Sequence, residues 1–236
     1  MTGKMPALLS LRQPDVCRTW FNSALGLSLV RDAQRRVTPL LTSHIGVRGL
    51  FLRPCAEASP LLSGNMLQST VSLYHTSNGL AGDLCCREDS LPFESETLSL
   101  AYLLYATDVA SDPAALVTEC ARVLMPEGVL FVIRLSTTSL WRMSWGRRVP
   151  RPLAERRMHS MLVDAGLSTE QELGLGPLWP RQIEPPAADA SVVESRWIPD
   201  PLRPSTLVVA RKRRMGMTAI GPRKAAAKIG SHAHAG

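Results

Sequence analysis

The feature that most restricts how this chain can fold is an unbroken apolar run over residues 129–133. Such a run is typical of a strand that is buried on both faces of a parallel sheet. The run follows a predicted helix that begins at Asp112-Pro113, since Asp is a favourable N-cap and Pro is favourable in the first turn. Residues 98–105, before that helix, are predicted to form another strand. Strand, helix and strand with short connections make a βαβ unit, so the sequence indicates an α/β fold.

Further elements are predicted on both sides of this unit. Apolar residues at helical spacing predict an N-terminal helical part over about residues 15–42. Strands are predicted over 47–52, 70–75, 167–175 and 206–210. A helix is predicted over 154–165, ending at Gly166, a favourable residue after a helix. Residues 125–128, which include Pro126 and Gly128, are predicted to be a turn.

The positive charge of the chain is concentrated at its C-terminus. The net charge is +7, and residues 211–236 hold seven Lys and Arg residues and no acidic residue. The rest of the chain is therefore neutral, which excludes an argument from overall charge to nucleic-acid binding and leaves only a local one. We predict one domain over 1–212 and a basic, disordered tail over 213–236.

The cysteines and the hydropathy exclude several classes of protein. There are five cysteines, an odd number, and none form a Cys-x-x-Cys pair, so neither a disulfide framework nor a metal site is predicted. Reduced thiols are typical of a cytoplasmic protein, which is the predicted location. No apolar run approaches the length of a membrane-spanning helix, so no membrane span is expected.

Three motifs follow one another in the middle of the chain. They are Leu91-Pro92-Phe93, then Asp108 with Asp112-Pro113, then Arg122-Val123-Leu124-Met125-Pro126-Glu127-Gly128. In this order they resemble the type 11 branch of the class I S-adenosylmethionine-dependent methyltransferases. The resemblance is strongest in the middle of the chain and extends over roughly residues 18–212.

The resemblance implies a Rossmann-like methyltransferase fold, with a mostly parallel seven-stranded sheet and helices on both faces. It also implies transfer of a methyl group from S-adenosylmethionine to an acceptor that the sequence does not identify. This displacement depends on the alignment of donor and acceptor more than on an acid or a base, so no catalytic residue is predicted.

The resemblance further implies where the cofactor would lie. Its methionine end is expected near the turn after the first strand, its adenine near the loop before Pro92, and one tyrosine at the floor or mouth of the cleft. The predicted cofactor-binding residues are Leu52, Arg53, Pro54, Cys55, Glu88, Asp89, Ser90, Leu91 and Tyr105.

This chain departs from the family at three positions that contact the cofactor. The turn after the first strand has no glycine, and no acidic residue lies between Glu57 and Asp83 to hold the ribose. Arg87 stands where the family has an Asp that contacts the adenine. Two interpretations stay open: a diverged methyltransferase that holds the cofactor through other groups, or a non-catalytic interaction protein that keeps the fold.

Two basic segments are candidates for binding nucleic acid or a protein partner. The first includes Arg142, Arg147, Arg148 and Arg151, with Trp141 and Trp145 placed to stack on bases, and the second is the tail over 211–228. In the alternative interpretation, the tryptophans pack in the core, the arginines face water, and the tail only keeps the protein soluble.

Overall fold

The computed structural model describes residues 14–62, 64–143, 152–178 and 202–213. The strands are β1 (Ile45–Arg53), β2 (Met66–Thr76), β3 (Gly79–Gly82), β4 (Leu98–Leu104), β5 (Leu124–Leu135), β6 (Leu167–Leu175) and β7 (Ser205–Lys212). The helices are α1 (Pro14–Phe21), α2 (Ala24–Leu41), α3 (Ala106–Val109), α4 (Pro113–Val123) and α5 (Glu155–Asp164), with a 3-10 turn at Leu140–Met143.

These strands form one seven-stranded sheet in the order β3-β2-β1-β4-β5-β7-β6. The predicted α/β fold with seven strands is confirmed. The sheet is more mixed than predicted, because β1 pairs in parallel with β2 and β4, and β4 with β5, whereas the other three pairings are antiparallel. The antiparallel pairings come from the β2–β3 hairpin and from the insertion of β7 between β5 and β6.

Helices cover both faces of the sheet, as predicted. One core cluster joins α1 and α2 to sheet residues that include Phe51, Tyr102 and Phe131. The other joins α4 and α5 to residues that include Leu103 and Val132. The central strands are buried on both faces, which explains the continuous apolar run in β5.

Local sequence signals predicted the positions of α4 and α5 correctly. Asp112 caps α4, since its Oδ1 accepts hydrogen bonds from the backbone N–H groups of Ala114 and Ala115 at 3.0 and 3.2 Å. The α5 helix ends before Gly166, whose φ of +76° is a left-handed conformation that suits glycine.

The turn predicted over 125–128 is instead an irregular part of β5. The pairing of β4 with β5 jumps from Leu98↔Leu124 to Leu100↔Val129, so β5 carries extra residues at this point. Glu127 takes a left-handed φ of 66°, which lets the strand bulge and then continue. Proline and glycine here mark a bulge, which the sequence pattern does not distinguish from a turn.

The connection from β1 to β2 leaves the first strand end without a covering helix. A parallel connection commonly carries a helix, but residues 54–62 and 64–65 contain none. Ala58 and Leu62 pack instead into the core beside α2. This irregular crossover determines what lies at the end of β1.

The start of the predicted basic tail belongs to the sheet. Arg211 and Lys212 lie in β7, and both have carboxylate partners: Arg211 Nε lies 2.6 Å from Glu170 Oε1, and Lys212 Nζ lies 3.3 Å from Glu96 Oε1. The basic segment predicted over 211–228 thus begins inside β7, because β-pairing with β5 and β6 extends as far as Lys212. The domain boundary itself stays a prediction.

The other predicted basic residues fall outside this description. The side chain of Arg142 and the residues Arg147, Arg148, Arg151 and 214–228 lie outside the described part of the chain. Within the described ranges, no helix combines the length and the hydropathy that a membrane crossing requires. The cytoplasmic location stays a prediction.

Candidate functional site

The carboxyl ends of β1, β2, β4 and β5 meet at one edge of the sheet, because these strands are parallel. The chain runs from β1 outward to β2 and β3, and then crosses back to β4 on the other side of β1. Ligands of open α/β sheets bind at such a switch point, outside the carboxyl ends of the strands. The residues at this point are Arg53 at the end of β1, Pro54 and Cys55 after it, and Tyr105 after β4.

Arg53 is the most unusual side chain at this edge, because it is a cation that is only 5 % exposed. Its Nη1 donates to the carbonyl oxygens of Ala56, at 3.2 Å, and Ala58, and its guanidinium lies 5.3 Å from the centroid of the Tyr74 ring. Its Nε is buried and has no hydrogen-bond partner. Burial lowers the pKa of Arg53, and the negative charge of Asp83 offsets this only in part, without an ion-pair contact between the two side chains among those of the described residues.

The other residues around this turn are also buried. Leu52 faces the core on the side of α4, whereas Cys55 faces the core on the side of α1 and α2. Pro54 is buried between them. Burial raises the pKa of the Cys55 thiol, so this cysteine stays protonated at neutral pH. The turn is packed against the protein on both sides rather than open like a glycine-rich loop.

Tyr105 packs in the same core cluster as Cys55. It has a left-handed φ of 51°, it is fully buried, and its ring lies 5.0 Å from that of Phe21 in α1. Its hydroxyl lies 2.6 Å from Ser205 Oγ. Burial raises the pKa of Tyr105 well above its usual range, so the phenol stays neutral. The α1 helix is also tied to this edge through Arg18, which donates to the carbonyl oxygen of Thr76 at the end of β2.

Glu88 reaches the end of β2 from the loop that precedes β4. Its Oε1 lies 2.9 Å from His75 Nδ1, and its Oε2 accepts the backbone N–H of Ser111 at 2.9 Å. Burial alone would raise the pKa of Glu88, but the hydrogen bonds from His75, Ser111 and Asp112 outweigh it and lower that pKa. A carboxylate therefore lies beside β2 although the sequence has none at the strand end.

The remaining predicted site residues lie apart from Arg53. Asp89 pairs with Arg87 in an exposed ion pair at 2.7 Å, and Ser90 is exposed. Leu91 is buried in the core beside α4, and its N–H donates to Glu119 Oε1 at 2.9 Å. The structure thus divides the predicted set between the two faces of the sheet, and their role in cofactor binding stays a prediction.

A cavity of about 500 Å³ lies where the resemblance places the adenine. Its lining residues come from the β2–β3 turn, the loop before β4 and the start of α4: Ser77, Asn78, Gly79, Arg87, Glu88, Asp89, Ser111, Asp112 and Ala115. Sequence reasoning missed His75, which holds Glu88 at this cavity. The available signal was a histidine next to the last residue of β2, at the edge where ligands bind.

The comparisons agree with the fold and its motifs. The model of the methyltransferase domain family, type 11, matches residues 62–132. The match covers about a third of the chain and includes the three motifs of its middle part. No curated protein matches the sequence. No group of three or more metal-ligating side chains is present among the described residues.

Solved structures share the fold of this chain at low identity. A Bacillus halodurans protein assigned as a methyltransferase has a TM-score of 0.53 at 15 % identity, over 77 % of this chain and 99 % of the other. The Burkholderia thailandensis 1,6-didemethyltoxoflavin-N1-methyltransferase, solved with its substrate and S-adenosylhomocysteine, has a TM-score of 0.51 at 12 % identity, over 91 % and 94 %.

A third structure shows that the fold is not restricted to one reaction. The [4+2]-cyclase SpnF has a TM-score of 0.51 at 19 % identity, over 75 % of this chain and 80 % of the other. The fold therefore does not by itself identify the chemistry, which has to be argued from the site.

We expect Glu88→Gln to destabilise the protein at pH 7 by about 1–3 kcal/mol, the usual cost of losing hydrogen bonds to a buried charge. The pKa of Glu88 in the folded state lies below the ordinary 4.5. The charged carboxylate therefore stabilises the folded protein fully above pH 4.5, and this stabilisation is lost as the pH falls through the lowered pKa. The difference from the wild type should therefore vanish in acid. Urea unfolding from pH 7 to pH 3 measures this.

Asp89→Asn is the matched control for that measurement. The ion pair of Asp89 with Arg87 is exposed, and such pairs contribute little. We expect no change at either pH. If Glu88→Gln lowers the free energy of unfolding equally at pH 7 and in acid, the charged carboxylate is not the source of the stabilisation, and the assignment is contradicted.

Proposed function

We propose that this chain is a methyltransferase that uses S-adenosylmethionine, with Arg53 in the role that a glycine-rich turn has in the family. The cofactor would lie along the carboxyl ends of β1, β2 and β4, beside Tyr105. The acceptor of the methyl group is not identified.

The observation that carries this proposal is the buried Arg53 guanidinium without a carboxylate partner. A buried charge is costly unless it is paired, and the hydrogen bonds of Arg53 to described residues go to two carbonyl oxygens, with the face of Tyr74 and the charge of Asp83 as its further electrostatic contacts. The methionine part of the cofactor carries a carboxylate. A guanidinium binds a carboxylate with two parallel hydrogen bonds, so Arg53 fits this group through its unsatisfied Nε and a neighbouring Nη.

The residues present fit the carboxylate of the cofactor better than they fit its ribose. Glu88 lies at the end of β2, but its oxygens already accept hydrogen bonds from His75 and Ser111. The ribose hydroxyls would therefore lack the carboxylate contact that is usual in the family, and we expect the affinity to depend strongly on Arg53. The cavity of about 500 Å³ beside Glu88 is where the adenine would lie.

The cofactor, when bound, supplies an electrophilic methyl group on a sulfonium, and the sulfur leaves as a neutral thioether. The protein's contribution is to hold donor and acceptor in line. Arg53 would fix the methionine end. Tyr105 and Phe21 would form an apolar, neutral wall that excludes water from the site.

Calorimetric titration with S-adenosylhomocysteine tests this function. We expect saturable binding to the full-length chain, at least about tenfold weaker in Arg53→Met because a charged hydrogen-bonding partner is lost. Arg53→Lys should retain part of the affinity. Adenosine, which has no carboxylate, should bind the wild type and Arg53→Met equally.

Arg211→Met is the control, because Arg211 pairs with Glu170 and lies beside Val129, at the end of β5 that is away from the carboxyl edge. It should leave the affinity for S-adenosylhomocysteine unchanged. Equal weakening of adenosine and S-adenosylhomocysteine binding by Arg53→Met would indicate a general loss of structure and would contradict a role for Arg53 at the carboxylate. Absence of binding to the wild type would contradict the proposed function.

A second candidate is a non-catalytic interaction protein with the methyltransferase fold. The observation that favours it is that Arg53 already donates to Ala56 and Ala58, so the turn is closed on itself. Its partner would be nucleic acid or a protein, bound through the basic segments 141–157 and 211–228. Arg211 and Lys212 are paired with Glu170 and Glu96, so the residues after them would supply most of the charge of the second segment.

Filter binding with RNA at two salt concentrations tests this second candidate. It predicts binding that weakens steeply with salt, because arginine and lysine contacts to phosphates release counterions. A chain that ends at Arg213 should keep its fold and lose affinity. Salt-insensitive binding, or no binding at low salt, would contradict a nucleic-acid partner.

A further inference from the structure

A polar row crosses three strands at the carboxyl edge, far from β1. Arg134 of β5 pairs with Thr206 of β7, and Thr206 pairs with Gly174 of β6. Side chains two residues apart share a face of a sheet, so Arg134 lies on the same face as Val132, which packs in the core beneath α4 and α5. Its neighbours in the row, threonine and glycine, are small and leave space beneath the N-terminus of α5.

Arg134 is a buried cation that is incompletely satisfied. It is 2 % exposed, its Nη1 donates to the Leu153 carbonyl oxygen at 3.2 Å, and its Nε is buried without a hydrogen-bond partner. Its only carboxylate partner within the described ranges is Glu172, at 3.3 Å from Nη2, and the Glu172 side chain is 40 % exposed. The cation is thus fixed inside the protein, whereas its partner lies at the surface and is free to turn into water.

Two adjoining cavities meet at this guanidinium. Their volumes are about 400 and 240 Å³, and both are lined by Arg134, Glu155 and Glu172. The larger one has an apolar wall of Met158, Leu162 and Val208. The smaller one is lined by Ser136, Thr137, Thr138, Gly174 and Thr206, at the carboxyl edge. This is the size of a small-molecule site, with an apolar body and a few converging polar groups.

The α5 helix adds positive potential to the same place. Its N-cap is Ala154, whose side chain makes no capping hydrogen bond, so no polar N-cap side chain offsets the positive end of the helix dipole. Arg156 and His159 also line the larger cavity. The opposing charges are the carboxylates of Glu155 and Glu172, both of which are exposed at the rim, whereas Arg134 is at the floor.

We propose that this pocket binds a small amphipathic acid, with Arg134 as the anchor for its carboxylate or phosphate group. The anionic group of the ligand takes the place of Glu172 at the guanidinium and uses the unsatisfied Nε, while the apolar body of the ligand packs on Met158, Leu162 and Val208. A carboxylate and a phosphate monoester present the same paired oxygens to arginine. The site is on the opposite face of the sheet from Arg53 and does not depend on the proposed function.

Titrations with simple probes test the pocket on the full-length chain. The probes are octanoate, phenyl phosphate, inorganic phosphate and octylamine, followed by calorimetry. We expect saturable binding of octanoate or phenyl phosphate, and the stronger of the two identifies the anionic group. Inorganic phosphate should bind more weakly, because it has no apolar body, and octylamine should not bind.

Three substitutions separate a ligand site from a structural ion pair. Arg134→Met should weaken acid binding at least about tenfold. Glu172→Gln should strengthen it severalfold, because the competing carboxylate is gone and Arg134 keeps its place. Glu170→Gln, on the same strand but paired with Arg211, should leave acid binding unchanged.

The Glu172→Gln result keeps the proposal testable even if Arg134→Met fails to fold. If neither acid binds the wild type or Glu172→Gln, the proposal is overturned. It is also overturned if Glu172→Gln weakens acid binding, since Glu172 would then support the site rather than compete for it.

Discussion

A row of three aromatic side chains across the central strands sets the geometry of the whole molecule. Phe51, Tyr102 and Phe131 stand in register on β1, β4 and β5, on the face covered by α2. The rings of Phe51 and Tyr102 are stacked at 5.1 Å, and Tyr102 meets Phe131 edge to face at 6.4 Å. Because a slip of one residue would turn these rings to the other face, the row fixes the register and therefore where the carboxyl ends of the three strands lie.

That register places two buried cations at the same edge of the sheet. Arg53 lies two residues beyond Phe51 on β1, and Arg134 lies three residues beyond Phe131 on β5, so they emerge at the same edge on opposite faces. Both are almost fully buried, and each retains a buried Nε without a partner. Buried arginines that are not fully paired cost stability, so their presence at the ligand-binding edge of an α/β sheet points to anionic groups of ligands.

The sequence allowed the centre of the fold to be predicted because its signals are local. The apolar run of β5, the Asp112 cap and the glycine after α5 each act within a few residues. The mixed sheet was not predictable in the same way, since β3 has only four residues and the crossover after β1 has no helix. The bulge at 125–128 has the composition of a turn, and only the pairing of β4 with β5 identifies it.

The site was harder to predict, because its contacts join distant residues. The hydrogen bond of Glu88 to His75 depends on the β2–β3 hairpin, and the ion pair of Arg134 with Glu172 spans three strands. Arg53 was predicted as a site residue, but its inward side chain and missing carboxylate partner are properties of the folded turn. In the sequence, Arg53 is recognisable only as a residue of the turn in which the family has glycine.

The most direct test of the account is a crystal structure of the protein grown with S-adenosylhomocysteine. We expect the ligand along the carboxyl ends of β1, β2 and β4, with its carboxylate paired to Arg53 and the hydrogen bonds from Arg53 to Ala56 and Ala58 broken or shared. A structure in which Arg53 still donates to both carbonyl oxygens and the ligand is absent, or is bound at another edge of the sheet, would contradict it.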